Sequence, residues 1–253
     1  LLSTSFTTRY GIKKGMWYPI FHSISAFCNA GFDIIGDSMM SFVGDFVVNM
    51  TICLLIIIGG LGFSVLIDIV NKKKLKRLSL HSKLVLSITF ILIGIGMIII
   101  FIVERNNPNT LKELSTGEKI LASFFQAVIP RTAGFNSIDI SMIYDTTAFI
   151  IIILMFIGGS PGSTAGGIKT TTFSAILLTT IAVIKGNKDV VAFNRRINQD
   201  IINRSLAIVS IGLILILTVS IVLTITEESS FLDVLFETTS AFGTVGLTRG
   251  ITP

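Results

Sequence analysis

Residues 158–167 read GGSPGSTAGG, and three kinds of chemistry use a glycine-rich run of this sort. A phosphate cradle needs G-x-x-x-x-G-K-[ST], whose backbone amides and lysine neutralise phosphate charge. Gly162 and Gly167 hold the spacing, but Ile168 fills the lysine position and Lys169 comes one residue late. The run also follows a long apolar stretch, where a cradle would follow a β-strand. A hydrolase elbow needs G-x-S-x-G, which Gly158, Ser160 and Gly162 match. Its serine requires a base within hydrogen-bond reach. The only histidines are His22, in a short apolar segment, and His81, in a basic loop. A serine hydrolase, testable by Ser160→Ala, therefore stands as the rival from another function class. The third reading is mechanical. Pro161 and the glycines Gly158, Gly159, Gly162, Gly166 and Gly167 cannot continue a helix cheaply. A helix breaks here, with Ser160, Ser163 and Thr164 satisfying some of the freed backbone groups and Ala165 completing the run.

A second stretch, TVGLT at Thr244–Thr248, is close to TVGYG, the loop whose backbone carbonyls replace the hydration shell of potassium in channels. CNAGF and RTAGF are degenerate versions of it. With Gly31, Gly134 and Gly246 in register, the chain gives FHSISAFCNAGFD, FFQAVIPRTAGFN and FETTSAFGTVGLT. Phe21, Phe124 and Phe236 each fall ten residues before their glycine, and the glycines recur roughly every hundred residues. Glycine at such a site removes the side chain that would plug a passage and allows unusual backbone angles. A half-helix before each loop aims its negative C-terminal end at the same point, which favours a cation.

The elements that must position these loops belong to a membrane protein. Of 253 residues, 51% are hydrophobic and 14% charged, against about 25% charged in ordinary soluble domains. Phe46–Val70, Leu84–Val103 and Leu206–Ile225 each supply the roughly 20 apolar residues that a spanning helix needs. Ala148–Ile184 is long enough to cross but is interrupted by the glycine run. Its first half would reach only about 15 Å as a helix. YPIFHSISAF, ILASFFQAVI and FLDVLFETTSAF are too short to span and read as re-entrant half-helices. The cations gather in loops, which explains the net charge of +5 without nucleic acid. Asn71–Lys83 carries Lys72, Lys73, Lys74, Lys76, Arg77 and Lys83; Lys185–Arg204 carries Lys185, Lys188, Arg195, Arg196 and Arg204. Both are therefore expected on the cytoplasmic side of a plasma membrane, with the filter loops facing outside. Arg9, Lys13 and Lys14 are the exception to that orientation. Cys28 and Cys53 show neither metal-like spacing nor a disulfide framework.

In SAFCNAGFD, PRTAGFNSIDI, GGSPGSTAGGIKTTTF and SAFGTVGLTRG the chain resembles the Trk/Ktr/HKT superfamily of potassium transporters, nearest the Ktr-type pore-forming subunit. The resemblance covers essentially the whole chain. It implies an all-α integral membrane fold of helix, pore half-helix, filter loop and helix, repeated around a pseudo-fourfold pore and incomplete here. Residues 1–80 would be the second repeat without its first helix, 81–200 the third with its last helix broken, and 201–253 the fourth up to its filter. The chain begins without an initiator Met and reads as a fragment, one not expected to conduct alone. The selectivity filter would be Asn29, Ala30 and Gly31; Thr132, Ala133 and Gly134; and Thr244, Val245 and Gly246, holding potassium through backbone carbonyls. The family separates potassium from sodium preference at a first-repeat filter position that lies outside this sequence; the three glycines in view favour potassium. Residues 158–167 would be the intramembrane gate.

The expected function is thus potassium uptake, with no enzymatic step and no organic cofactor. The alternative is a sodium-conducting or sodium-coupled relative. The resemblance further implies a homodimer, a cytoplasmic nucleotide-binding regulatory ring and a surrounding of membrane lipid. Of the remaining residues, Asp33, Asp37, Asp45, Asp139 and Asp145 follow the filters, either enriching cations there or simply solvated. Arg131, one residue before Thr132, should be turned away from a cation path and paired with an outer carboxylate. Glu237 reads as a holder of a neighbouring filter loop by hydrogen bonds rather than an ion contact. Lys169 should reach the cytoplasmic interface by snorkelling.

Overall fold

The computed structural model describes residues 2–187 and 189–252. Lys188, counted above with the second basic loop, lies outside the described residues. Helices follow one another in chain order as α1 (Leu2–Phe27), α2 (Phe46–Leu61), α3 (Phe63–Lys72), α4 (Leu80–Glu104), α5 (Thr116–Val128), α6 (Asp145–Phe156), α7 (Thr170–Ile184), α8 (Gln199–Thr226) and α9 (Phe231–Gly243). Their starts are chemically marked. The side chains of Asp45, Ser79, Ser115, Asn198 and Ser230 each accept a backbone N–H of the first turn they precede. Ser115 and Glu118 form a reciprocal capping box.

Helix α1 is two limbs. Gly11, at φ 76° and ψ 172°, breaks it in a conformation that glycine reaches readily and other residues do not. The second limb folds back on the first, so that a β-carbon on Gly15 would stand 2.4 Å from the Thr7 Cα. This limb begins at residue 12 and is longer than the ten-residue half-helix read from the sequence. Pro19 lies inside it, withholding one helical hydrogen bond without ending the helix.

The apolar segment Phe46–Val70 is not the single straight span expected. It bends by 96° between α2 and α3. At the bend Gly62 adopts φ 87°, and the Phe63 N–H leaves the helical pattern to donate to the Gly162 carbonyl at 3.1 Å. By contrast, α4 and α8 carry the other two expected spans and are long and apolar enough to cross a membrane. On α8, Ile211 is 67% and Ile225 81% exposed. An apolar helix with so little of itself buried in protein needs lipid as its solvent. The interrupted segment becomes α6 and α7, of 12 and 15 residues, each short of a full crossing.

The core forms around the half-helix α5. Ala122, Phe125, Val128 and Ile129 are buried in one cluster with Ile52 and Ile56 of α2, Ile93 and Ile100 of α4, and Ile151 and Met155 of α6, with α2 and α4 packed directly on α5. Glu104, fully buried at the end of α4, accepts from the Asn107 amide, the Thr110 hydroxyl and the Tyr144 N–H, fixing where α6 begins. The second basic loop holds an unanticipated hairpin of Val191–Ala192 and Arg195–Arg196. Its turn residues Phe193 and Asn194 both have positive φ, 48° and 61°, as a two-residue type I′ turn requires.

Candidate functional site

Helices α1, α5 and α9 each end just before one of the repeated glycines, and the three loops share one backbone course. The glycines Gly31, Gly134 and Gly246 have φ of 69°, 70° and 82°. Two residues earlier, Asn29, Thr132 and Thr244 also have positive φ, at 51°, 75° and 54°. Positive φ is rare for a β-branched threonine. At Asn29 and Thr244 it closes the helix in a Schellman pattern. Ala30 N donates to Ser25 O at 2.9 Å, and Val245 N to Ser240 O at 2.8 Å. Thr132 is held from below, its hydroxyl accepting from Gly166 N at 3.3 Å.

The three loops meet. A β-carbon on Gly31 would stand 2.7 Å from the Ala133 carbonyl oxygen and 2.9 Å from the Gly134 Cα. One on Gly134 would stand 2.5 Å from the Val245 carbonyl oxygen and 3.2 Å from the Gly31 Cα. On Gly246 the nearest atom would be the Gly134 Cα at 3.9 Å. Carbonyl oxygens of one loop thus face the glycine of the next. Beside them a cleft of about 760 Å³ opens between α8 and α9, reaching Ala30, Thr244, Val245 and Gly246.

The acids beyond the glycines are engaged in structure. Asp33 accepts from His22 Nε2 (2.8 Å), Ile35 N (2.9 Å), Gly36 N (2.6 Å) and Ser38 N (3.0 Å). Burial opposes its ionisation, but these donors outweigh it and hold the carboxyl below the usual carboxylate range. Asp37 takes the Ser41 hydroxyl, Asp45 caps α2, Asp139 takes Ser141, and Asp145 pairs with Arg249 at 3.1 Å.

Two expectations are corrected here. Glu237 does not hold a neighbouring loop; it holds its own, accepting from the Thr248 hydroxyl, Arg249 N (2.9 Å) and the Thr252 hydroxyl (2.9 Å). It projects from α9 toward the chain that leaves its own glycine, which is nearer than any other loop. Arg131 is buried, yet its Nη1 and Nη2 have no hydrogen-bond partner among the described residues. The outer carboxylates that might have met it are already committed to their own caps and pairs. The Lys169 Nζ donates to the Ala165 carbonyl at 2.6 Å. The broken helix exposes that carbonyl within reach, and a freed acceptor in a low-dielectric setting attracts a cation strongly.

The glycine-rich run crosses beneath the three loops. Its feet are zipped together: Ile168 N donates to Phe156 O at 3.1 Å, and Thr170 N to Gly159 O at 3.0 Å. Its apex touches a residue at or before each of the three loops. The Thr164 hydroxyl donates to Phe27 O at 3.3 Å, Gly166 N to Thr132 Oγ1 at 3.3 Å, and a β-carbon on Gly166 would strike the Thr244 hydroxyl. Ser163 stays within the run, its hydroxyl donating to Ser160 O at 2.7 Å. Ser160 itself is buried and takes the Thr170 hydroxyl at 3.2 Å. His22 is bonded to Asp33 and Tyr18, and His81 to Ser64, so neither serves Ser160 as a base.

Sequence reasoning missed how the bend in α2–α3 serves the broken helix. Ser160 N donates to Gly60 O at 3.0 Å and Thr164 N to Gly59 O at 3.3 Å, so each break supplies partners for the other. The signal was present in GGLG at residues 59–62. Gly62→Ala would place a β-carbon 2.6 Å from the Pro161 carbonyl oxygen at a φ of +87°. It is expected to destabilise the protein by about 2 kcal/mol. A thermal melt in detergent reads this, with Gly94→Ala, whose β-carbon meets nothing, as the control that loses no stability.

Comparison with known proteins bears on this geometry. The chain is 47% identical over 253 residues to the Ktr system potassium uptake protein B of Bacillus subtilis, covering 100% of this chain and 57% of that protein. It is 42% identical over 256 residues to the potassium/sodium uptake protein NtpJ of Enterococcus hirae, covering 100% of this chain and 56% of that protein. The crystal structure of the potassium transporter TrkH from Vibrio parahaemolyticus superposes with a TM-score of 0.76 at 16% identity, over 97% of this chain and 53% of that one. At that identity the likeness concerns the fold. The chain spans little more than half the length of the two relatives. The family model described as TrkH, cation transport protein, matches residues 3–253, and the chain belongs to that family.

Proposed function

We propose that this chain forms part of the ion path of a potassium uptake transporter in the plasma membrane. In this reading Asn29–Gly31, Thr132–Gly134 and Thr244–Gly246 present carbonyls that replace potassium's water. The observation that carries it is the shared backbone course of the three loops, with positive φ at each glycine and two residues before it, together with their mutual approach. A protein that only packed helices closely would have no need of three strained loops facing one another. Residues 1–80, 81–200 and 201–253 act as three units, each bringing one loop, and Gly158–Gly167 gates the path from the cytoplasmic side. The basic loops face the cytoplasm.

The name of the Enterococcus hirae relative, which includes sodium, favours one second reading: a carrier of both ions. A homodimer and a cytoplasmic nucleotide-binding ring belong to the proposal through the family resemblance, with the basic loops as the surface such a ring would meet. The full-length protein is expected to restore growth of a potassium-uptake-deficient bacterium on low-potassium medium. Uptake of sodium alone, or of neither ion, would sink the reading.

A further inference from the structure

The three loops are not held alike, and the difference follows a register. Nine residues before each glycine the half-helices carry His22, Phe125 and Glu237; two residues after it stand Asp33, Asn136 and Thr248. In the second unit these positions bond directly, His22 Nε2 donating to Asp33 at 2.8 Å. His22 also donates from Nδ1 to the Tyr18 carbonyl at 2.7 Å, and that carbonyl can only accept. In the fourth unit the same positions bond with polarity reversed: the loop residue Thr248 donates and the helix residue Glu237 accepts. Phe125 has no polar atom to offer. The third loop is tied instead to the second: Asn136 N donates to the Ser38 hydroxyl at 3.0 Å and Met39 N to Asn136 O at 2.9 Å. Ser38 N in turn donates to Asp33 at 3.0 Å.

We propose that His22–Asp33 and Glu237–Thr248 are equivalent braces that set the spacing of the filter carbonyls, and that the His22–Asp33 brace also serves the third loop through Ser38. His22 and Glu237 are positioning residues: they act on the ion through the loop and not by touching it. His22 is fully buried and Glu237 half-buried, so their bonds form where water competes little. A filter whose carbonyls drift should lose discrimination between two ions of equal charge before it loses the ability to pass either.

The inference rests on the transport reading above, and the test separates the two. Potassium and sodium uptake are measured in cells with the full-length protein, alongside its membrane abundance. Thr248→Val removes the hydroxyl without changing the shape of the side chain, and is expected to relax the potassium-to-sodium ratio roughly tenfold, the size of one hydrogen bond to a charged group. His22→Leu is expected to relax it further, since two loops depend on it. His22→Gln, which keeps a donor toward Asp33, is expected to recover most of the ratio. Phe125→Leu, at the position without a brace, should leave the ratio unchanged. If His22→Leu fails to reach the membrane, Thr248→Val decides alone. A wild-type ratio in Thr248→Val, or a His22→Gln protein no better than His22→Leu at equal abundance, overturns the braces. Wild-type protein that transports neither ion overturns the transport reading instead.

Discussion

Gly134→Ala is expected to abolish potassium uptake by the full-length protein while leaving the equivalent change at Gly246 milder. Two penalties combine at Gly134. Its φ of +70° is a conformation alanine rarely adopts. Its β-carbon would also stand 2.5 Å from the Val245 carbonyl oxygen, with the Gly31 Cα at 3.2 Å on the other side. Both neighbours are backbone, so neither can swing away as a side chain would. The carbonyl that must move is one proposed to meet the ion. At Gly246 the φ is as unfavourable, at +82°, but the nearest atom is 3.9 Å away, leaving strain without collision. A loss of at least about a hundredfold in uptake is expected for Gly134→Ala, the equivalent of roughly 3 kcal/mol of misplaced backbone. Uptake in a potassium-deficient strain, normalised to membrane abundance, checks it. Equal effects at the two glycines would show that collision between loops does not matter.

Deleting Ser163–Ala165 is expected to raise potassium flux. The feet of the glycine-rich run are held by bonds of 3.0–3.1 Å between its own limbs, and Ser160 is held to Gly60 at 3.0 Å. The apex is tied to the surrounding protein by Thr164 N to Gly59 O and by the two side-chain bonds to Phe27 and Thr132, all 3.3 Å; its shorter bonds, Ser163 to Ser160 at 2.7 Å and Lys169 to Ala165 at 2.6 Å, are local to the segment. Long bonds of this kind contribute about 1 kcal/mol or less each. The apex is therefore the part that can leave while the broken helix keeps its course. Removing it should shift the path toward open by roughly tenfold. Potassium efflux from proteoliposomes reads the effect, with size-exclusion behaviour in detergent showing that the protein is still folded. Unchanged efflux from well-folded protein would leave the run as a passive kink.

Much of this molecule could be read before any coordinates. The spans carried by α4 and α8 follow from length and apolarity, because hydrocarbon admits little else. The break at Pro161 follows from backbone chemistry. The common register of the three glycines was visible because repeated units keep equivalent residues at equivalent distances along the chain, and their meeting in space followed from it.

Other features depended on which piece of chain arrives next to which. GGLG at residues 59–62 permits a bend, but only the presence of the Gly162 carbonyl turns permission into the 96° angle between α2 and α3. The bond of Lys169 to the Ala165 carbonyl depends on the broken helix freeing that carbonyl beside it. For Glu237 and the outer acids the residue type leaves the role open; whether they draw cations or cap their own loops is decided by which N–H groups reach them. Arg131 is the sharpest case, since its residue type demands a partner and, buried as it is, its Nη1 and Nη2 meet none among the described residues. Periodicity and propensity act over a few residues and are written in the chain, whereas the partner of a displaced hydrogen bond is chosen by tertiary packing.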